Sequence, residues 1–242
     1  REFLDNAFKK QEAEKSSSGF SFARIIEARS TDRTTKHQSV LYYAGAVVAV
    51  FLLFAASHGA LTLVDERQSG ISQRLTLGKG GMTSVVTGKF VFLVVQGVVQ
   101  SFIVFGVAWF GFEATFDASR TGFWLLTSIL ASASAAAIAL GIVAVCKSRR
   151  QAESATTFVV LLVSAIGGSM VPRYLMPPWM QDIGWLTPNA WVIQAFEASV
   201  RSSSPVGMIL HAWTVLVGIS IVSLAVAIYF SIRRTRYSWT PA

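Results

Sequence analysis

The chain has 242 residues, of which 52% are hydrophobic and only 14% charged, with a mean hydropathy of +0.51. Soluble domains carry roughly a quarter charged residues and no apolar runs near 20 residues, so this composition indicates an integral membrane protein. The net charge of +8 reads as membrane topology rather than nucleic-acid binding, and a single cysteine with three scattered histidines excludes an internal disulfide and a zinc-like cluster.

Residues 1–36 differ in character from the rest of the chain. They alternate charge, with eight Lys or Arg against six Asp or Glu, around the flexible run Ser16-Ser17-Ser18-Gly19. Phe20, Phe22, Ile25 and Ile26 are too few for a core of their own. The chain opens on Arg1 rather than Met, and no secretory signal is visible. The expectation is that 1–36 is the C-terminal remnant of a larger soluble, extracellular part, and 37–242 the transmembrane domain.

Five spans are predicted, at about 40–64, 90–112, 122–146, 155–171 and 209–232. A hydrocarbon core of roughly 30 Å needs about 20 helical residues, so the fourth is near the minimum. Tyr42, Tyr43, Trp109, Trp124 and Tyr229 mark span ends as interfacial aromatics.

Between the first two spans lies the polar segment 65–89. It holds Arg67, Arg74, Lys79 and Lys89, and Gly70, Gly78, Gly80, Gly81 and Gly88 divide it into short pieces. Asp65 and Glu66 end the first apolar helix, where the helix dipole disfavours acids. They call for a compensating partner, Arg67 or Arg74 or a basic group on another subunit.

Within the spans, Gln96 and Gln100 share a helix face beside Gly97 and Ser101. An unpartnered amide in hydrocarbon is costly, so this face is expected to look into the bundle. It serves either as interhelical hydrogen bonding or as the polar lining of a substrate path, to which Ser57 and His58 of the first span contribute. The third span, with Ala131, Ala135 and Ala139 beside Ser128 and Ser132, is a small-residue face for close packing.

The stretch 172–205 combines Pro172, Pro177, Pro178, Pro188 and Pro205 with Trp179, Trp185 and Trp191. Its apolar pieces, about 178–186 and 189–200, are too short to cross a bilayer and read as a re-entrant helical hairpin that packs on protein as an outer cap. Thr187 and Pro188 suit the N-cap and first position of the second piece. Gln194, Glu197 and Arg201 share its polar face.

Orientation is set by the loops. Segment 65–89, Lys147–Arg150 and Arg233–Arg236 together carry ten basic residues, whereas the other side holds only Arg120, Arg173 and Arg201. The C-terminus is therefore expected in the cytoplasm and residue 1 outside. The basic residues just before the first span then require an upstream helix that exports a long loop, giving six spans in the full protein.

These blocks resemble the type-2 ABC exporter permease family, from about Tyr42 to the last span. Glu66-Arg67, Gly70, Arg74-Leu75 and Gly88-Lys89 are similar to its coupling segment, and Gly97 with Gln100 to its next helix. Gln151-Ala152-Glu153, Gly167-Gly168-Ser169, Pro172, Trp179 and Leu186–Trp191 are similar to its most recognisable stretch. The resemblance implies a dimer of multi-pass subunits in the cell membrane, in bacteria the inner membrane. It also implies six helices per subunit, an extracellular domain after the first, and a separate ATP-hydrolysing subunit on the coupling segment. ATP and magnesium would bind that partner, with no cofactor, metal or catalytic residue in this chain. Gly78-Lys79-Gly80-Gly81 stands where the family usually has proline.

The residues themselves hold no nucleotide site. Gly88-Lys89 lacks the preceding glycine of a phosphate loop, with Thr83 in its place, and Phe90 replaces Ser or Thr. His58 and His211 have no partner that would make a hydrolase. A non-transporting membrane scaffold and a secondary transporter are the alternatives, the latter disfavoured by spans almost empty of ionisable residues. A drug, an antibiotic, a lipid or an ion as cargo would leave much the same pattern.

Overall fold

The computed structural model describes residues 39–71, 81–112, 118–201 and 204–237, with the side chains of 118 and 235–237 excepted. The chain divides into two units, Arg1–Val40 and Leu41–Ala242. The expected extracellular remnant, 1–36, lies outside the described residues.

Seven α-helices can be followed from end to end: α1 (Ser39–Gln68), α2 (Gly81–Phe112), α3 (Thr121–Val145), α4 (Arg149–Ile166), α5 (Pro178–Gly184), α6 (Pro188–Val200) and α7 (Val206–Tyr237). No strand occurs among the described residues. Among the described residues four helices, α1, α2, α3 and the Val206–Arg234 part of α7, are long and apolar enough to cross a membrane.

The fourth expected span, 155–171, falls on α4, an 18-residue helix that starts and stops earlier than its apolar run suggests. It starts early because Ser148 caps it, the hydroxyl accepting from Gln151 N–H at 3.2 Å, while the Gln151 side chain accepts from Lys147 N–H at 2.8 Å. It stops at Ile166 because Gly168 turns the chain at φ +94°. Charged residues in its first turn keep it out of the strongly apolar set, although its length corresponds to about 27 Å.

The central helix is α3. It is 67% buried over its apolar stretch, against 22% for α2 and 17% for α7. Its small residues let neighbours approach closely: a Cβ at Gly141 would meet Ser223 O of α7 at 3.2 Å. Two of its buried serines bond to their own helix, Ser128 to Trp124 O at 3.0 Å and Ser132 to Ser128 O at 2.7 Å. Trp213 Nε1 of α7 donates to Thr127 Oγ1 at 2.9 Å, a buried link across the same pair.

Two ends of the bundle can be told apart by chemistry. At one end α1 begins with Tyr42, whose hydroxyl donates to Gly168 O at 2.9 Å and accepts from Arg173 N–H at 3.0 Å. At the other end α1 finishes with Asp65–Arg67, beside the start of α4 and the end of α7. Helix α4 thus runs from the charged end to the aromatic end, antiparallel to α1.

Close packing at Gly97 makes a test. A Cβ there would lie 2.7 Å from Ser132 Oγ and 2.8 Å from Leu52 Cδ2, whereas a Cβ at Gly106 meets nothing within 4 Å. Gly97→Ala should cost about 1–3 kcal/mol through overpacking and lower the thermal midpoint in detergent, with Gly106→Ala leaving it unchanged or raised. Equal midpoints would contradict the three-helix contact.

Candidate functional site

The two acids that end α1 find their partners on other helices of the same chain. Lys89, in the third turn of α2, donates to Glu66 Oε1 and to Thr62 Oγ1, each at 2.7 Å. Both charged side chains are largely withdrawn from water, 17% exposed for Lys89 and 27% for Glu66. Asp65 instead pairs with Arg149 at the start of α4, and Arg149 Nε also reaches Glu153 Oε1 at 2.8 Å. Those two carboxylates, Glu153 first, hold the Arg149 guanidinium above its ordinary pKa range. The compensation expected from Arg67, Arg74 or another subunit therefore comes from Lys89 and Arg149. The reason is that α2 is helical from Gly81 onwards, carrying Lys89 back alongside the last turn of α1.

The remaining contacts close a collar at this end. Arg67 Nη2 donates to Ser231 Oγ of α7 at 2.6 Å. Arg234 of α7 donates to the carbonyls of Val145 and Cys146, satisfying the last turn of α3 where the dipole favours a cation. Burial raises the pKa of the Cys146 thiol. Gly70 turns the chain just after α1 at φ +73°. Arg74 and Leu75 lie outside the described residues, so the expected coupling segment is seen at its two flanks, with 65–68 inside α1 and 81–89 inside α2.

The expected path residues do not converge on the interior of one chain. Ser57 is buried, Gln100 half-buried, and His58 and Gln96 are exposed. The interior side of α2 is occupied by Gly97 and Ser101, packed on α3 and on Leu52 of α1. A face read from an i, i+4 amide pair fails here because small residues, not amides, meet the close-packed α3.

At the aromatic end the proline-rich stretch divides. Helix α6 is a core element, with Ala190, Ala195 and Phe196 fully buried, and it packs on α3, α7 and, through Gly45, on α1. Helix α5 is peripheral: Pro177 and Trp179 are exposed and the following Leu186 is 84% exposed. Thr187 occupies the N-cap position and Pro188 the first turn of α6, but the Thr187 hydroxyl donates back to Gly184 O at 2.7 Å rather than capping. Trp191 Nε1 donates to Trp185 O at 2.7 Å, and its ring lies 4.7 Å from Trp185 and 5.1 Å from His211 of α7. Arg173 stacks over Trp185 at 3.6 Å, and burial lowers its pKa. Pro172 is buried beside this knot.

Sequence reasoning missed three links: Arg173 on Trp185, Asn189 joining Ser164 and Ser169 at 3.2 and 3.0 Å, and Arg120 joining Ala198 O and Ser204 O. Asn189 stands within Leu186–Trp191, and its signal is an amide inside an apolar helix.

The sequence profile of the ABC-2 family transporter protein matches residues 7–229, nearly the whole chain. The chain belongs to the ABC-2 transporter family. It is a multi-pass membrane protein and a membrane component of an ABC transporter. Membrane subunits of the ABC-2 family generally pair with an ATPase and are permease components rather than enzymes themselves. No curated protein matches the chain. Three members of the charged collar, Glu66, Arg67 and Lys89, are among the residues that resemble the coupling segment.

Lys89→Met tests the collar. It leaves the Glu66 carboxylate shielded from water without its cation, a cost of about 1–3 kcal/mol, and the thermal midpoint in detergent should fall. Arg149→Gln removes a solvent-screened pair and should leave the midpoint near that of wild type. A larger fall for Arg149→Gln would contradict this ranking.

Proposed function

We propose that this ABC-2 protein is the permease subunit of an ATP-driven exporter, that two copies enclose the translocation path, and that a separate ATPase docks on segment 65–89. The observation that carries the reading is the collar. Motion imposed on the segment between Glu66 and Lys89 acts at once on α1 and α2 through their ion pair, and on α4 and α7 through Asp65–Arg149 and Arg67–Ser231. A rigid interlock of this kind transmits force from a docked partner to the spans.

Exposure of His58 and Gln96 supports the dimer. They stand among exposed Phe51, Phe92, Val95 and Val99, a surface otherwise suited to lipid. A primary amide and an imidazole facing hydrocarbon are costly, and a second copy that covers α1 and α2 removes the cost. His58, Gln96 and Gln100 then line the path between copies, with Ser57 behind them. Helix α4 is the fifth crossing, since it joins the two ends of the bundle. The charged end, which holds Arg67, Lys89, Lys147, Arg149, Arg150, Arg233 and Arg234, faces the cytoplasm. The aromatic end faces outward, with α5 and α6 as its re-entrant cap and 1–36 as the remnant of an extracellular domain.

The deciding experiment is co-purification with the ATPase and measurement of stimulated ATP hydrolysis. Glu66→Gln should sharply reduce stimulation, because a desolvated charge pair is worth about 2–5 kcal/mol, while Glu153→Gln should not. Near-native behaviour of both would remove the coupling role.

Topology has its own test. Burial shields the Cys146 thiol and raises its pKa, so the native thiol should label slowly and faster as pH rises. Leu186→Cys should label with an impermeant thiol reagent in intact cells, and Lys147→Cys only after permeabilisation. The reverse pattern would invert the orientation.

A further inference from the structure

Like Arg234, Arg67 is a collar cation whose charge no carboxylate of the described residues meets, and it also leaves buried donors unused. Its Nη2 donates to Ser231 Oγ at 2.6 Å, but Nε and Nη1 are closed off from water and have no acceptor among the described residues. The acids at this end are turned elsewhere, Asp65 and Glu153 onto Arg149 and Glu66 onto Lys89. The charge acting on Arg67 is another cation, Arg234, whose own donors are taken by Val145 and Cys146 carbonyls. Neither 72–80 nor 238–242 contains an Asp or Glu that could serve. A shielded guanidinium beside a like charge is costly unless an anion meets it.

Position narrows the class of anion. Arg67 sits between α1 and α7, and α7 is the least buried of the spanning helices. Exposed Tyr229 lies two residues before Ser231, at the end of the apolar stretch, which is where interfacial aromatics and headgroups lie. A protein docking beyond this end would meet exposed Lys147, Arg149 and Arg150 first. Arg67 instead reaches across to α7, the least buried of the spanning helices. A planar guanidinium fork matches two oxygens of a phosphate, and basic pockets between spanning helices hold anionic headgroups.

We propose that Arg67 is the anchor of a phospholipid site, taking the phosphate of an anionic lipid that enters between α1 and α7 at the charged end. Arg234 adds attraction without a direct bond, and the Arg67 fork, which rests on Ser231, turns to the headgroup as the lipid enters.

The test uses the permease without its ATPase, in nanodiscs of phosphatidylcholine with or without phosphatidylglycerol. Native mass spectrometry reads the lipid retained, and thermal unfolding reads stability. Wild type should retain phosphatidylglycerol over phosphatidylcholine about fivefold, the factor one basic residue contributes, and should melt higher when it is present. Arg67→Gln should bring retention to parity, abolish the lipid-dependent rise, and melt no lower than wild type in phosphatidylcholine alone. Arg67→Lys should fall between the two, and Arg150→Gln should match wild type. Parity in the wild type, or equal loss in Arg150→Gln, would overturn the site. Equal stabilisation by inorganic phosphate in detergent would assign the ligand to free phosphate and overturn the lipid. Stabilisation seen only on adding the ATPase would transfer Arg67 to the protein interface.

Discussion

Every polar group that leaves water in this chain must find its partner inside the protein, because hydrocarbon offers none. That constraint explains why Ser128 and Ser132 of α3 bond to their own helix carbonyls and why its crossings are lined with glycine and alanine. It explains why a 13-residue helix such as α6, too short to cross, lies wholly among α1, α3 and α7. It also explains the capping arginines: Arg234 serves the last turn of α3, and Arg120 the last turn of α6, so that buried helix ends are not left bare. Where the constraint is not met among the described residues, as at the buried donors of Arg67, or where an imidazole and an amide face outward, as at His58 and Gln96, the molecule points to what covers it.

Apolar run length and the small-residue face of the third span made the helical membrane fold legible, since both depend on the thickness of a bilayer and the width of a side chain. Basic asymmetry likewise grouped 65–89, Lys147–Arg150 and Arg233–Arg236, whose described members meet at one end. Pairing was not legible. Asp65 and Glu66 signalled that partners were required, yet Arg149 stands 84 residues further along the chain and is brought back only by the antiparallel course of α3. Lys89 reads as the end of a loop if every glycine before it breaks the helix. Gly81 indeed has a positive φ, but Gly88 sits inside α2. The amide pair Gln96 and Gln100 misled for a different reason: periodicity tells which residues share a face, not which partner that face meets.

The collar and the aromatic knot divide labour between the two ends. At the aromatic end Tyr42, Gly168 and Arg173 lock the start of α1 to the loop after α4, and Trp191 locks α6 to His211 of α7. These contacts are dense and largely neutral, suited to holding a fixed cap. At the charged end the contacts are ion pairs between helix termini, few in number and flanking the segment that resembles the family's coupling region. Ion pairs can exchange partners when a neighbour moves, whereas interlocked rings must unpack.

The central claim is that the Glu66–Lys89 pair carries force between a docked ATPase and the spans. Charge reversal tests it most directly, with substrate-coupled ATP hydrolysis measured in the reconstituted complex for Glu66→Lys, Lys89→Glu and the two together. The account predicts that each single reversal uncouples hydrolysis and that the double reversal restores most of it, because the pair is remade with its sense exchanged. A double variant no better than either single one would contradict the claim.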